Sequence, residues 1–226
     1  MQKQMLGFRA LKDYFFRFKP APIMLTLVIV LFFGATGTAY SAPKTILVLG
    51  DSLSAEYGLA RGTGWVALLE KRLQQQKIAA TVINASISGE TTSGGASRIA
   101  ELLKQHQPAI VVVELGGNDG LRGLPIAAAE QNFRTIIAAS QAAKAKVLLI
   151  GMQIPPNYGR SYTDKFTGMY PALTKETHVS LVPFLLEGVA DKPELFQADH
   201  IHMLALAHPH ILDNVWPHLL PLLKEK

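Results

Sequence analysis

Past residue 43 the chain alternates short apolar, β-branched runs with longer amphipathic stretches, the pattern of a parallel sheet joined by crossover helices. The runs predict strands at Thr45 to Leu49, Ala80 to Asn84, Ile110 to Leu115, Lys146 to Ile150 and Val179 to Val182. Helical spacing predicts Trp65 to Gln75, Ser97 to Gln105 and Ala127 to Ala143. A last helix is expected over most of His208 to Lys224, with Pro209 near its start and Pro217 bending or interrupting it. Near-continuous apolar strands such as Ile110-Val-Val-Val113 suit a sheet covered on both faces. The stretch from Gln153 to Tyr170 holds Pro155, Pro156, Gly159 and Gly168 and reads as an irregular surface loop.

The first 43 residues follow a different pattern. A basic stretch precedes the apolar run Ile23 to Phe33, and small residues follow, ending Ala39-Tyr40-Ser41-Ala42. This is the layout of a secretory signal over residues 1–41, with cleavage after Ser41 or Ala42 and the exported, periplasmic domain at 42–226. An uncleaved segment anchoring the chain to the inner membrane is the competing reading. The leader carries Lys3, Arg9, Lys12, Arg17 and Lys19 against Asp13, which is +4 of the chain's +5. The basic balance therefore belongs to a leader that engages the secretion machinery and implies no nucleic-acid partner. With no Cys, thiol catalysis, thiolate metal sites and disulfides are excluded together. The exported part must rely on its core, and it is long enough to build one and to stand as a monomer.

Each polar cluster of note follows a predicted strand, so all of them gather at one edge of the sheet. Ser52 follows the first strand in Gly50-Asp51-Ser52-Leu53; Ser86-Ile-Ser-Gly89-Glu-Thr-Thr follows the second; Gly116-Gly117-Asn118-Asp119-Gly120 follows the third. Asp199-His200-Ile201-His202 precedes the terminal helix. A serine hydroxyl is a poor nucleophile at neutral pH, so acyl transfer needs an imidazole to take its proton and a carboxylate to fix the tautomer. His202 and Asp199 offer both. A tetrahedral intermediate also needs donors, which Ser52 N–H, the unhindered Gly89 N–H and the Asn118 amide can supply. Taken singly, each cluster is equally well an ordinary turn.

Four ordered blocks, Gly50-Asp51-Ser52-Leu53, Gly89, Gly116-Gly117-Asn118-Asp119 and Asp199-x-x-His202, resemble those of the SGNH (GDSL-type) hydrolase family. The texts Leu115-Gly-Gly-Asn-Asp-Gly-Leu-Arg-Gly123 and Ile154-Pro-Pro-Asn-Tyr-Gly-Arg160 are similar to its bacterial arylesterase, acyl-CoA thioesterase I and lysophospholipase L1 branch. The resemblance implies a three-layer α/β/α sandwich on a five-stranded parallel sheet, flavodoxin-like. It implies Ser52 as nucleophile, His202 as base, Asp199 as its orienter, and Ser52, Gly89 and Asn118 as oxyanion donors, with no metal or cofactor. Small ester, thioester or lysophospholipid substrates follow, with Leu121, Leu124, Ile154, Pro155 and Tyr158, joined by Met203, lining an acyl groove. A carbohydrate O-acetylesterase and a catalytically impaired lipid-binding protein are the rival readings.

One segment departs from the family pattern Asp-Gly-Ile-His-Pro: here it runs Asp199-His200-Ile201-His202-Met203. A non-glycine at 200 strains the turn if positive φ is required, and loss of Pro at 203 loosens the start of the helix. His200 is a minor rival base. His200, His202, His208 and His210 also raise a metal site, but neither thiolates nor a helical His-Glu-x-x-His accompany them. No Gly-x-Gly-x-x-Gly follows the first strand, and Ser52 is not in Gly-x-Ser-x-Gly. Glu114, in an apolar strand, reads as a buried structural acid or a raised-pKa group; Asp51 and Asp119 read as acceptors for turn amides. Trp65, Phe184 and Trp216 read as core.

Overall fold

The computed structural model describes residues 43–224; the segment read as a leader lies outside them. Five strands form one parallel sheet: β1 (Lys44–Gly50), β2 (Ala80–Asn84), β3 (Ile110–Glu114), β4 (Lys146–Ile150) and β5 (Ser180–Val182). Their order is β2-β1-β3-β4-β5, so the chain reverses its direction of travel between β1 and β3. In such sheets ligands bind beyond the carboxyl ends of the strands at that switch point. The register sets Gly50 level with Glu114, so the turns that carry Ser52 and Asn118 leave the sheet side by side.

Helices α1 (Trp65–Gln75), α2 (Thr92–His106), α3 (Gly117–Leu121), α4 (Ile126–Ala142) and α5 (Arg160–Thr177) lie in the crossovers, and α6 (His208–Lys224) follows the last strand. α1 packs on α6, while α2 and α5 pack on α4, giving two helical groups around the sheet. Ile46 to Leu49 and Ile110 to Val113 are wholly buried, as a sheet covered on both faces requires. Each such side chain contributes roughly 1.5–3 kcal/mol through removal from water. The five-strand α/β architecture is the one expected, and strand limits agree within a residue.

The helices differ more. α2 starts at Thr92 rather than Ser97, because the Thr91 side chain accepts Gly94 N–H and caps the helix ahead of the two glycines. Most of the supposed loop from Gln153 to Tyr170 is α5, preceded by a 3₁₀ turn at Pro156–Tyr158. Phe166, Met169, Tyr170 and Leu173 bury one helical stripe, which outweighs Gly168 and Pro171. α6 likewise runs through Pro217 and Pro221 on a buried face of Ile211, Leu212, Val215, Leu219, Leu222 and Leu223.

The ends of β4 and β5 are clamped where the site begins. Gly151 N–H donates to Val182 O at 2.8 Å, and Leu185 N–H donates to Gly151 O at 3.0 Å. A Cβ at 151 would lie 2.2 Å from the backbone oxygen of Pro183. Gly151→Ala is therefore expected to destabilise the protein by about 1–3 kcal/mol, measured as a lower urea midpoint at unchanged slope.

Candidate active site

Ser52 and His202 lie 150 positions apart, yet His202 Nε2 is 2.8 Å from Ser52 Oγ. The other ring nitrogen, Nδ1, is 2.6 Å from Asp199 Oδ2. A carboxylate can only accept, so Nδ1 carries the hydrogen and the bare Nε2 accepts the Ser52 hydroxyl. Asp199 is held ionised: the N–H groups of His202 and Ile201, each donating to Oδ1 at 3.0 Å, form an Asx turn. With the His202 backbone as the largest cause, the Asp199 pKa falls to about 2.

The turn that carries these two residues is closed by local bonds. Phe196 and Met203 form an antiparallel bridge, Gln197 N–H donates to His202 O at 2.7 Å, and Leu204 N–H donates to Leu195 O at 2.7 Å. Position 200 has φ of +57°, so the glycine of the family pattern answers a real need and His200 sits strained there. The Asx turn holds the loop despite that. Met203 does not stand at a helix start; it is buried beside Phe196, and α6 begins five residues later. The imidazole bonded to both Ser52 and Asp199 is that of His202, not His200. The other histidines do not converge: buried His208 accepts Trp65 N–H on Nδ1 at 3.0 Å, and burial lowers its pKa.

Each of the three expected donors keeps a hydrogen that no group among the described residues accepts. Among the described residues nothing accepts the backbone N–H of Ser52 or of Gly89, and Gly89 holds φ of +80°. Asn118, on α3, donates one Nδ2 hydrogen to Asp51 Oδ2 at 3.0 Å and keeps the other. Arg122 Nη2, one turn on, donates to Gly89 O at 2.9 Å and reaches Asn118 Oδ1 at 3.5 Å, linking the two loops. Asp119 accepts Thr92 N–H at 2.9 Å and Thr92 Oγ at 2.6 Å, fixing α3 against α2.

Under this turn lie two buried acids. Asp51 Oδ1 accepts Leu53 N–H at 3.0 Å, and burial pushes the Asp51 pKa up to about 6. Glu114 Oε2 accepts Ser54 Oγ at 2.6 Å and Asp51 N–H at 3.3 Å. Burial first, then the charge of Asp51, drives the Glu114 pKa well up.

A groove of about 450 Å³ opens beside Ser52, within the range of small-molecule sites. Leu121, Ile154 and Pro155 line it as expected, together with Met152, Phe184, Leu186, Phe196 and Ile201. Phe184, expected in the core, is one of its walls. Leu124 and Tyr158 stand outside the lining: the Tyr158 hydroxyl instead donates to Leu121 O at 2.8 Å and props that wall. Tyr57 went unnoticed in the sequence, and its ring packs 4.3 Å from that of His202. Gln197, equally unnoticed, donates to Tyr57 O at 3.0 Å. Neither sits in a motif, and both act through tertiary contact.

Residues 48–208 match the GDSL-like Lipase/Acylhydrolase family. Esterase TesA of Pseudomonas aeruginosa is 50% identical over 186 residues, 82% of this chain and 92% of that protein. Thioesterase 1/protease 1/lysophospholipase L1 of Escherichia coli K12 is 47% identical over 182 residues, 80% of this chain and 86% of that protein. The crystal structure of the psychrotrophic esterase EstA from Pseudoalteromonas sp., inhibited by monoethylphosphonate, superposes with a TM-score of 0.77 at 40% identity, covering 80% of this chain and all of that one.

Because backbone donors depress the Asp199 pKa most, His202→Ala should leave that carboxyl below its ordinary value of 3.8, as a carboxyl-carbon NMR titration will read. The stability this ionised turn adds is complete above pH of about 4 and is lost as pH falls through about 2.

Proposed function

Because the chain belongs to the GDSL-like Lipase/Acylhydrolase family, whose members hydrolyse ester bonds, we propose that Ser52, His202 and Asp199 are its catalytic triad. The carrying observation is the unbroken chain from Asp199 through His202 to Ser52, at 2.6 and 2.8 Å, at the mouth of an apolar groove. Ser52 Oγ attacks the carbonyl carbon of a carboxylic ester or thioester while His202 Nε2 takes its proton. The oxyanion is received by Ser52 N–H, Gly89 N–H and Asn118 Nδ2–H. Collapse returns the proton from His202 to the departing alcohol or thiol, and leaves an acyl-enzyme. Water, activated by the same imidazole, then releases the acid. No step draws on a metal or cofactor.

The substrate reading follows from the groove. Its walls of Leu121, Met152, Ile154, Phe184, Leu186 and Phe196 suit an acyl chain, and the polar end at Ser52 takes the ester. Long-chain acyl esters, acyl thioesters and lysophospholipids fit this shape; an acetyl group on a sugar would leave most of it unfilled. Residues 1–41 direct export to the periplasm, where the domain acts as a monomer. Among the described residues no helix is long and apolar enough to cross a membrane.

Ser52→Ala should lower hydrolysis of p-nitrophenyl acyl esters by about 10³-fold or more and abolish fluorophosphonate labelling of a folded protein. Asn118→Ala should cost about 10²–10³-fold in kcat with KM little changed. Rates rising with acyl length support the groove reading, whereas a sharp preference for acetyl would move the assignment to carbohydrate esters. Intact mass of the labelled, exported protein reads the mature N-terminus, expected just after Ser41 or Ala42.

A further inference from the structure

The triad and its three donors leave one conspicuous group unused: Glu114, wholly buried at the end of β3, beneath the nucleophile turn. Its two oxygens differ. Oε2 accepts two donors, Ser54 Oγ–H and Asp51 N–H, and Ser54 Oγ is itself fixed by Trp65 Nε1–H at 3.1 Å. Oε1 is buried and meets no donor among the described residues. An ionised carboxylate with one bare buried oxygen would be costly, since each unpaired charged acceptor forfeits its hydration without replacement. A neutral carboxyl resolves this, with Oε2 as the carbonyl acceptor and Oε1 carrying the hydrogen. The neighbouring charge that Glu114 feels is that of the Asp51 carboxyl, and Asp51 N–H already donates to Oε2 at 3.3 Å.

We propose that Glu114 is a positioning residue for the oxyanion hole, which keeps a proton at neutral pH and donates it to Asp51, so that Asp51 in turn holds Asn118. The proposal rests on the esterase reading above. Asp51 Oδ2 takes one hydrogen of Asn118 Nδ2 and thereby decides which way the amide faces. If the amide were turned over, its oxygen would point at the oxyanion and repel it. The proton on Glu114 also limits the carboxyl pair to one negative charge beside a site where a second anion must form. Both effects act on the transition state and leave binding of the uncharged ester unchanged.

Three variants and one spectrum test this. Glu114→Ala should lower kcat by about tenfold or more, below the full loss of an oxyanion donor, with KM steady. Glu114→Gln, whose amide can donate to Asp51 while its oxygen accepts from Ser54, should restore most of that rate. On an Asn118→Ala background, Glu114→Ala should add little, because its effect passes through Asn118. Infrared difference spectra of wild type against Glu114→Gln at pH 7 should show a protonated-carboxyl band in the wild type only. That band reads the proton whether or not the enzyme turns over, so its absence overturns this proposal and leaves the esterase assignment standing. Glu114→Gln as damaging as Glu114→Ala, or full additivity with Asn118→Ala, overturns it as well. Failure of Ser52 to label overturns the esterase reading instead. If Glu114→Ala does not fold, the band and the rate of Glu114→Gln decide.

Discussion

Everything at this site depends on holding a hydroxyl and an imidazole 2.8 Å apart when 150 residues of chain separate them. A hydrogen bond of that kind contributes only about 1 kcal/mol net and cannot by itself organise two loops. The work falls to Trp65. Its indole N–H holds Ser54 in the turn that carries Ser52, and its backbone N–H is received by His208, six residues past His202. Because Trp65 is also wholly buried as the first residue of α1, one residue, through its side chain and its backbone, fixes both halves of the site to the core. Gln197 and Tyr57 repeat the tie at the surface, where the aromatic ring packs on His202.

The proposed oxyanion side is built on the opposite principle. Its donors come from two turns and from α3, and what unites them is polar. Arg122 bonds to Gly89 O and Asn118; Asp51 bonds to Asn118; Asp119 bonds to Thr92. Fixed dipoles in a partly buried setting need little reorganisation as charge develops, which is why such arrangements accelerate reaction more than equal donors in water. The two acids beneath the turn that carries Ser52 are the cost of that rigidity. They sit where a negative charge is least welcome, and burial raises both their pKa values.

Much of this was legible in the sequence, for a definite reason. The strands are β-branched apolar runs, and parallel order places their following turns together, so Ser52, Gly89 and Asn118 could be read as neighbours. Asp199 and His202 are close in sequence, and an Asx turn makes that spacing meaningful. The helix over Arg160–Thr177 was hidden because Pro155, Pro156, Gly159 and Gly168 advertise a loop, although Phe166, Met169, Tyr170 and Leu173 carried the contrary signal. The groove walls at Phe184, Leu186 and Phe196 lie in irregular chain with no periodicity to reveal which way a side chain turns. Glu114 could be recognised as unusual, but its link to Ser54, 60 residues away, exists only in the fold.

The segment between β5 and α6 carries Phe184, Leu186 and Phe196 on the groove wall and then, within a few residues, Asp199 and His202. Phe196 is at once a groove wall and, through its bridge to Met203, one leg of the loop that holds His202. On the proposed mechanism, selectivity and turnover are therefore written on the same stretch of backbone. A change of side chain that enlarges the groove at 196 also loosens the footing of the imidazole, so substrate range here cannot drift as freely as in folds where the pocket and the chemistry occupy separate loops. Variation is cheaper on the far wall, at Leu121 and Ile154, where the chain carries none of Ser52, Asp199 and His202.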